Sequence, residues 1–182
     1  FDASSFPIPP SFVGYATKAV LVLEFAPTII SLILAGKVGS YIASSIGTMR
    51  VSEQIDALDI MGVNSPNFLI FPKIIACVLF NPLLIAISIV FGICGGYIAG
   101  ILTGNWTEND YIVGIQMYMP NLFIYYAFVK TIVFAFIIAT VPSYFGYNVK
   151  GGSLEVGRAS TQAVVWTMVF IIISELILTH LI

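Results

Sequence analysis

The longest uncharged stretch of the chain is the strongest constraint on its fold. Residues 74–102 contain no Asp, Glu, Lys or Arg. As a helix rising 1.5 Å per residue, this stretch would be about 43 Å long, which exceeds the roughly 30 Å hydrocarbon core of a bilayer. We therefore predict a membrane-spanning helix that is tilted, kinked near Asn81 and Pro82, or protruding from the membrane.

The composition also indicates an integral membrane protein. Hydrophobic residues make up 59% and charged residues only 9% of the chain, and its mean hydropathy is +1.02, whereas soluble domains are about 25% charged. The seven Lys and Arg residues are scattered singly at a net charge of −2, which leaves no basic patch for nucleic acid.

Cys77 and Cys94 are about 25 Å apart along one helix, too far to form a disulfide. They read as packing residues, and we predict no metal site and no cofactor.

Four apolar segments have the length of membrane spans, which predicts an all-α integral membrane fold forming one transmembrane domain over residues 1–182. The predicted spans are residues 19–41, 74–102, 122–141 and 163–182. Residues 1–17, rich in Pro and Ser, predict a loop that reaches the interface. Residues 103–120 predict an interfacial loop or short helix, and residues 143–161 a polar loop.

Residues 47–63, between the first two spans, have the period of an amphipathic helix. Its apolar face is predicted to hold Val51, Ile55, Leu58 and Met61, and its polar face Ser52, Glu53, Asp56 and Asp59. Ile60 falls on the charged face, where an apolar side chain gains nothing unless a partner covers it. The pattern fits either a docking surface or a short helix lying at the membrane surface.

The positive charges predict how the chain is oriented. Five Lys and Arg residues flank the amphipathic helix or lie in the second polar loop, whereas only Lys18 lies near a membrane end on the other side. The five are Lys37, Arg50, Lys73, Lys150 and Arg158. Because positive charge accumulates on the cytoplasmic side, both polar loops are predicted in the cytoplasm and both termini outside.

Three ionisable residues lie inside predicted spans: Glu24, Lys130 and Glu175. In this orientation all three lie roughly 7–12 Å from the outer side. A lone charge at that depth is unfavourable by several kcal/mol, whereas two carboxylates and an ammonium can pair or line a wet cavity. We predict a polar cluster facing a substrate route. The alternatives are that each side chain reaches the interface separately, or that Glu24 and Lys130 form a purely structural pair.

A row of glycines in the second span predicts close helix packing, against a helix of this chain or of a second copy. The row is Gly92, Gly96, Gly100 and Gly104.

Residues 152–159 have the glycine spacing of a phosphate-binding loop, but they fail its other requirements. Arg158 replaces the Lys, Ala159 replaces the Ser or Thr, and no strand precedes the segment. Any ATP would therefore be bound by another subunit. His180 is the only histidine, so we see no soluble-type catalytic set and expect a protein that is not itself an enzyme.

The segment from Leu23 to Val63 carries three motifs in succession. They are Glu24 with Pro27; Ala35, Gly36, Lys37 and Gly39; and Met49, Arg50, Glu53, Gln54, Ala57, Leu58, Met61 and Gly62. This segment resembles the MlaE-type permeases of ABC lipid transporters, the membrane subunits that work with MCE-domain proteins. Further matches at Lys130, at residues 146–147 and at residues 157–159 extend the likeness over nearly the whole chain. Family members often have Arg at the position of Lys37, and usually an interfacial helix and one more span before the first loop, so we expect a fragment or a shortened member.

The resemblance implies a homodimeric permease in the bacterial inner membrane, with a cytoplasmic coupling helix seated in a separate ATP-binding subunit. The dimer would pass phospholipid between the membrane and a periplasmic MCE-domain protein. Family positions matching Glu24, Lys130 and Glu175 are associated with the lipid pocket. The residues assigned to ATPase coupling are Arg50, Glu53, Gln54, Asp56, Asp59 and Ile60. Of these, Glu53, Asp56, Asp59 and Ile60 are expected to face the partner.

Two other functions remain open on the sequence. A secondary transporter would use Glu24, Lys130 and Glu175 as a relay, although the four spans show no pair of similar halves with broken helices. A non-transporting scaffold would recruit a soluble protein through the amphipathic helix. A secondary transporter needs no ATPase partner, and a scaffold does not change its partner's ATP turnover.

Overall fold

The computed structural model describes residue 9, residues 11–104 and residues 106–180. These residues form helices joined by short turns, and no strand occurs among them. The helices are α1 Phe12–Val51, α2 Gln54–Ile60, α3 Ser65–Leu69, α4 Phe71–Thr103, α5 Glu108–Gln116, α6 Asn121–Tyr147 and α7 Ser153–His180. By length and composition, four segments could cross a membrane: α1, Ser65–Thr103, α6 and α7. The predicted all-α fold with four spans is confirmed.

Helix α6 lies at the centre of the bundle and packs against α1, α4 and α7. One side of it carries small buried residues, including Ala135, Ala139 and Gly146. A Cβ atom on Gly146 would lie 2.6 Å from the backbone oxygen of Ala43 in α1, so the two helices approach backbone to backbone. This close packing carries Lys130, on the same helix, into the interior of the bundle.

Helix α4 is mostly exposed on the isolated chain. Of its 33 residues only Asn81, Ile85 and Gly100 are buried. Lipid tails are as apolar as these side chains, so such exposure is what a lipid-facing helix requires. Asn81 is the polar exception, since its Nδ2 donates to the backbone oxygen of Thr131 in α6 at 3.0 Å and ties the two helices together.

The helices extend further than the predicted spans. Residues 12–17, predicted as loop, are the first turns of α1, and the polar loop predicted over residues 143–161 shortens to residues 148–152. Ser143 illustrates how polar residues can continue a helix. Its hydroxyl donates to the carbonyl of Ala139 one turn earlier at 2.6 Å, so this polar side chain is hydrogen-bonded within the helix. The remaining predicted loop and span positions at 1–8, 10, 181 and 182 lie outside the described residues.

The single amphipathic helix predicted over residues 47–63 is divided in two. Helix α1 runs through Val51, Glu53 adopts a left-handed conformation with φ 59° and ψ 13°, and α2 then begins at Gln54. The cause is the burial of Ile55, which is fully buried in a cluster with residues of α1 and α3: Ile42, Ile46 and Leu69. A straight continuation of α1 would move Ile55 away from that cluster. Gly62, with φ 76°, lies in the turn that follows α2.

At the opposite end of the bundle, the predicted interfacial segment over residues 103–120 contains the short helix α5, which crosses α1. Two glycines meet at this crossing. A Cβ atom on Gly114 would lie 2.1 Å from the backbone oxygen of Ser11, and one on Gly14 would lie 2.3 Å from that of Tyr111. Because the obstructing atoms are backbone, neither position accommodates a larger side chain unless the helices separate.

Lys18 of α1 holds the end of α5. Its Nζ donates to the carbonyls of Ile115 and Met117 at 2.8 and 2.7 Å. These are carbonyls that the end of a helix leaves without an internal partner. Lys18, predicted from the sequence only as a charge near a membrane end, therefore serves as a helix cap.

Three glycines of the predicted packing row in α4 contact side chains of this same chain. A Cβ atom would lie 2.8 Å from Leu21 at Gly92, 2.5 Å from the hydroxyl of Tyr111 at Gly96, and 1.8 Å from the indole nitrogen of Trp106 at Gly100. Gly104 does not pack in this way. It ends α4 with φ 66° and has open space around its Cβ position, so its role is that of a C-terminal cap.

Candidate functional site

Lys130 is the centre of an ionic cluster formed by three of the long helices. Its Nζ lies 3.0 Å from Oε1 of Glu24 in α1 and 2.5 Å from Oε1 of Glu175 in α7. The Lys130 side chain is 0% exposed, whereas 47% of the Glu24 side chain and 16% of the Glu175 side chain are exposed. The structure thus brings the three predicted residues into direct contact, and the cluster opens on the side of Glu24.

An irregularity in α1 supplies a third acceptor for Lys130. Pro27 has no N–H, so it cannot donate to the carbonyl of Leu23 one turn earlier. Residues Leu21–Phe25 form a wider π-helical turn, a feature found often at functional sites. Nζ of Lys130 donates to the oxygen of Leu23 at 3.1 Å. The Glu-x-x-Pro motif therefore provides two of the acceptors around Lys130, a carboxylate and a freed carbonyl.

These contacts use the full hydrogen-bonding capacity of Lys130. An ammonium has three N–H donors, and Leu23, Glu24 and Glu175 supply three acceptors. The ring of Tyr126 lies 4.6 Å from Nζ, close enough for a cation–π interaction. The Tyr126 hydroxyl donates to Thr179 in α7 at 3.1 Å, which holds the ring in place over the ammonium.

The charges of the cluster do not balance. Two carboxylates face one ammonium, which leaves a formal charge of −1. Oε2 of Glu175 is buried and has no hydrogen-bond partner among the described residues. A buried carboxylate oxygen without a donor is unfavourable, so the cluster can accept one more donor or cation.

An apolar cavity of about 190 Å³ lies between α1, α4 and α6. Its lining includes Leu34, Phe80, Ala135 and Ile138. The last two residues are on α6, five and eight positions after Lys130, so the cavity lies about 8–12 Å further along this helix towards the predicted cytoplasmic side. The ionic cluster and the apolar cavity are therefore at different levels of the same bundle.

The six residues predicted to couple to an ATPase divide into two groups. Arg50 and Asp56 bind each other, with Nη1 2.6 Å from Oδ1, and Glu53 occupies the left-handed position between α1 and α2. These three residues shape the turn. Glu53 and Asp56 are nevertheless exposed, as are Gln54, Asp59 and Ile60.

Arg50 is further held by a contact that the sequence did not indicate. Its guanidinium lies 5.7 Å from the ring centre of Tyr147 at the end of α6. The Tyr147 hydroxyl is 3.0 Å from Oγ of Ser65, the first residue of α3. The turn that carries α2 is therefore fixed to two other helices.

The exposed side of α2 is partly apolar. Ile60 is 88% exposed and Met61, which the helical wheel placed on the packing face, is 68% exposed. Ile55 is buried, and Leu58 packs against the cluster of Ile55. Met61 follows the end of α2, so its direction differs from that expected of a continuing helix.

Tyr111 of α5, in the segment predicted to be interfacial, is buried. It is 1% exposed, lies against Gly96, and its hydroxyl donates to the carbonyl of Ile93 at 3.0 Å. Burial raises the pKa of this phenol, which keeps it protonated as a donor. The sequence signal was Gly96, whose missing side chain makes room for the tyrosine.

Four membrane-length helices, three of which form an ionic cluster, define a multi-pass membrane protein with a polar site among its spans. The sequence model of the family described as Permease MlaE matches residues 5–181. The chain therefore belongs to the MlaE permease family, as its motifs predicted.

Curated relatives agree with this assignment. The chain is 40% identical over 168 residues to a probable ABC transporter permease protein of Rickettsia bellii, covering 91% of this chain and 65% of the relative. It is 32% identical over 169 residues to a similarly named protein of Synechocystis, covering 93% and 64%. It is also 31% identical over 156 residues to the chloroplastic protein TRIGALACTOSYLDIACYLGLYCEROL 1 of Arabidopsis thaliana, covering 86% and 45%. The chain thus spans less than two thirds of the length of each of these relatives.

Proposed function

We propose that this permease-family chain belongs to the membrane subunit of an ATP-driven lipid transporter, which moves phospholipid between the bacterial inner membrane and a periplasmic MCE-domain protein. The observation that carries the proposal is the cluster of Glu24, Lys130 and Glu175, which is accessible at Glu24 and lies in a bundle that also contains an apolar cavity. A lipid has a polar headgroup and apolar chains, and ligand sites combine an apolar lining with a few placed polar groups. Charged residues buried at membrane depth commonly mark a substrate path.

ATP hydrolysis would occur on a separate subunit. Residues 152–159 have the glycine spacing of a phosphate-binding loop, but residues 153–159 form the first turns of α7. Helix α2 and the turn before it would seat in that subunit through Glu53, Asp56, Asp59 and Ile60, all of which are exposed. The transporter would contain two copies of the permease, as the family resemblance implies.

The test reconstitutes the full-length permease, its candidate ATPase and the MCE-domain protein in proteoliposomes with a fluorescent phospholipid. We expect the ATPase to co-purify with the permease and lipid transfer to require ATP. Replacing Glu24 with Gln should slow transfer, whereas Glu155→Gln, which alters an exposed carboxylate paired with Arg158, should not. Transfer driven by a proton gradient without the ATPase would identify a secondary transporter instead. An ATPase that binds without any lipid transfer would identify a scaffold.

A further inference from the structure

We infer that the cluster binds the primary ammonium of a lipid headgroup through the carboxylates of Glu24 and Glu175, and does not bind a lipid phosphate through Lys130. The inference rests on the proposed lipid-transport function and names the chemistry of its substrate. The opposite assignment would follow from residue types alone, since a lysine among membrane spans suggests a partner for phosphate.

Lys130 is not available to an anion. Its side chain is 0% exposed, and its three donors are directed at Leu23, Glu24 and Glu175 at 3.1, 3.0 and 2.5 Å. The ring of Tyr126 lies beside the same nitrogen. A phosphate would have to displace a carboxylate from Lys130 and would then lie next to that carboxylate, which is repulsive.

The carboxylates are available to a cation. Glu24 exposes 47% of its side chain, so it forms the accessible edge of the cluster. Behind it, Oε2 of Glu175 is buried and has no partner among the described residues. A group that enters past Glu24 therefore meets one accessible carboxylate and one unsatisfied oxygen, both of which accept hydrogen bonds.

Charge balance favours the same ligand. The cluster alone carries a formal charge of −1, and an added ammonium brings two cations against two carboxylates. Buried charges at membrane depth are tolerated when paired, so binding the ammonium is favoured because it gives the second carboxylate a cation, while the phosphate of the same headgroup lies outside the cluster. A primary ammonium has three N–H donors, whereas a quaternary choline headgroup has none, so the site should distinguish ethanolamine from choline as well as from glycerol headgroups.

The experiment measures which lipids the transporter retains. The full-length transporter is reconstituted in nanodiscs with equal parts phosphatidylethanolamine, phosphatidylcholine and phosphatidylglycerol, re-extracted, and its bound lipid quantified by mass spectrometry. We expect phosphatidylethanolamine to be enriched about five-fold over the other two, the scale of one partly exposed ion pair. Glu24→Gln and Glu175→Gln should each reduce this enrichment, whereas the control Glu155→Gln, outside the cluster, should retain it. Size-exclusion elution identical to that of the unaltered protein establishes that a variant is folded.

Several outcomes would overturn the inference. Equal retention of the three headgroups together with ATP-dependent transfer of each would refute the ammonium site and leave the proposed function intact. Equal retention would also be the result if a proton shared by the two carboxylates supplied the missing charge. Equal retention of the three headgroups that is lost in Lys130→Met would assign the site to the phosphate that all three lipids carry. Absence of both retention and transfer for every headgroup would instead refute the proposed function.

Discussion

Pro27 shows how one residue can prepare a site without touching a ligand. A proline inside a helix removes one hydrogen bond and is unfavourable by about 3 kcal/mol or more in water. Here the freed carbonyl of Leu23 accepts from Lys130, which offsets part of that loss and adds a third acceptor to the ammonium. The packing of α6 against α1 is what makes Lys130 the donor to this carbonyl.

Removing the Lys130 ammonium should destabilise the protein strongly. Lys130→Met leaves two carboxylates without their cation, and breaking a buried ion pair is unfavourable by about 3–5 kcal/mol. Since Glu24 is 47% exposed, we expect the lower end of this range. The measurement is the free energy of unfolding in detergent–lipid micelles, with Lys37→Met as the matched control, because Lys37 is exposed in the same helix as Glu24. Adding Glu175→Gln should recover part of the loss; equal losses in Lys130→Met and Lys37→Met would contradict the buried pairing.

Glu53 tests the turn between α1 and α2. Its φ of 59° is unfavourable for a side chain that has a Cβ atom, by about 1–2 kcal/mol, and glycine avoids this penalty. We expect Glu53→Val, with a β-branched side chain, to unfold at a lower denaturant concentration than Glu53→Gly. The free energy of unfolding should differ by about 1–2 kcal/mol. Val and Gly both remove the carboxylate, so the comparison isolates the backbone. Equal stability of the two variants would show that the turn is not left-handed.

At the scale of helices, the sequence predicted which segments span the membrane but not where they end or bend. Long apolar runs such as residues 74–102 have no other stable state in a bilayer. The ends depend on local bonds, such as Ser143 to Ala139, that let polar residues continue a helix. The bend at Glu53 depends on burying Ile55 among residues of other elements, a tertiary effect that no local period encodes.

The crossing of α1 and α5 depends on two glycines and is the element whose disruption is simplest to measure. Gly114→Ala places a Cβ atom 2.1 Å from the backbone oxygen of Ser11, so the helices must separate. We expect a loss of about 1–3 kcal/mol in unfolding free energy and faster amide exchange in α5. Gly95→Ala is the control, because its Cβ position has open space, and alanine favours a helix by up to about 1 kcal/mol. A neutral Gly114→Ala would mean that α5 does not cross α1 this closely.

At the scale of the whole molecule, the candidate site was predictable as a set of residues but not as a geometry. Glu24, Lys130 and Glu175 were predicted at one depth because charges within apolar spans are few and costly. Their pairing needs the packing of α1, α6 and α7 around one nitrogen. The unpartnered oxygen of Glu175 and the complete use of the Lys130 donors follow only from distances. These two features turn a general polar cluster into one that favours a cation.

The predicted ATPase-coupling surface on α2 is separate from the ionic cluster in the spans, and this separation leads to a prediction for α2. The cluster lies in the spans, whereas Ile60 is 88% exposed on a helix whose turn is braced by Arg50 and Asp56. If α2 transmits ATP hydrolysis, Ile60→Asp should place a charge in the contact with the ATPase without unfolding the permease. We expect the amount of lipid transferred per ATP hydrolysed to fall at least about ten-fold, the loss of a contact worth more than about 1.4 kcal/mol.

The control for this variant is Leu154→Asp, which charges another exposed apolar residue, 68% exposed, at the start of α7. Both variants should elute as folded permease and bind lipid as the unaltered protein does. If α2 is the coupling element, only Ile60→Asp should lower the amount of lipid transferred per ATP hydrolysed. Ile60 is on α2, the helix that follows the braced turn, whereas Leu154 is on a different helix. A fully coupled Ile60→Asp transporter would show that the ATPase contacts another face, and equal uncoupling by both variants would assign the effect to added charge.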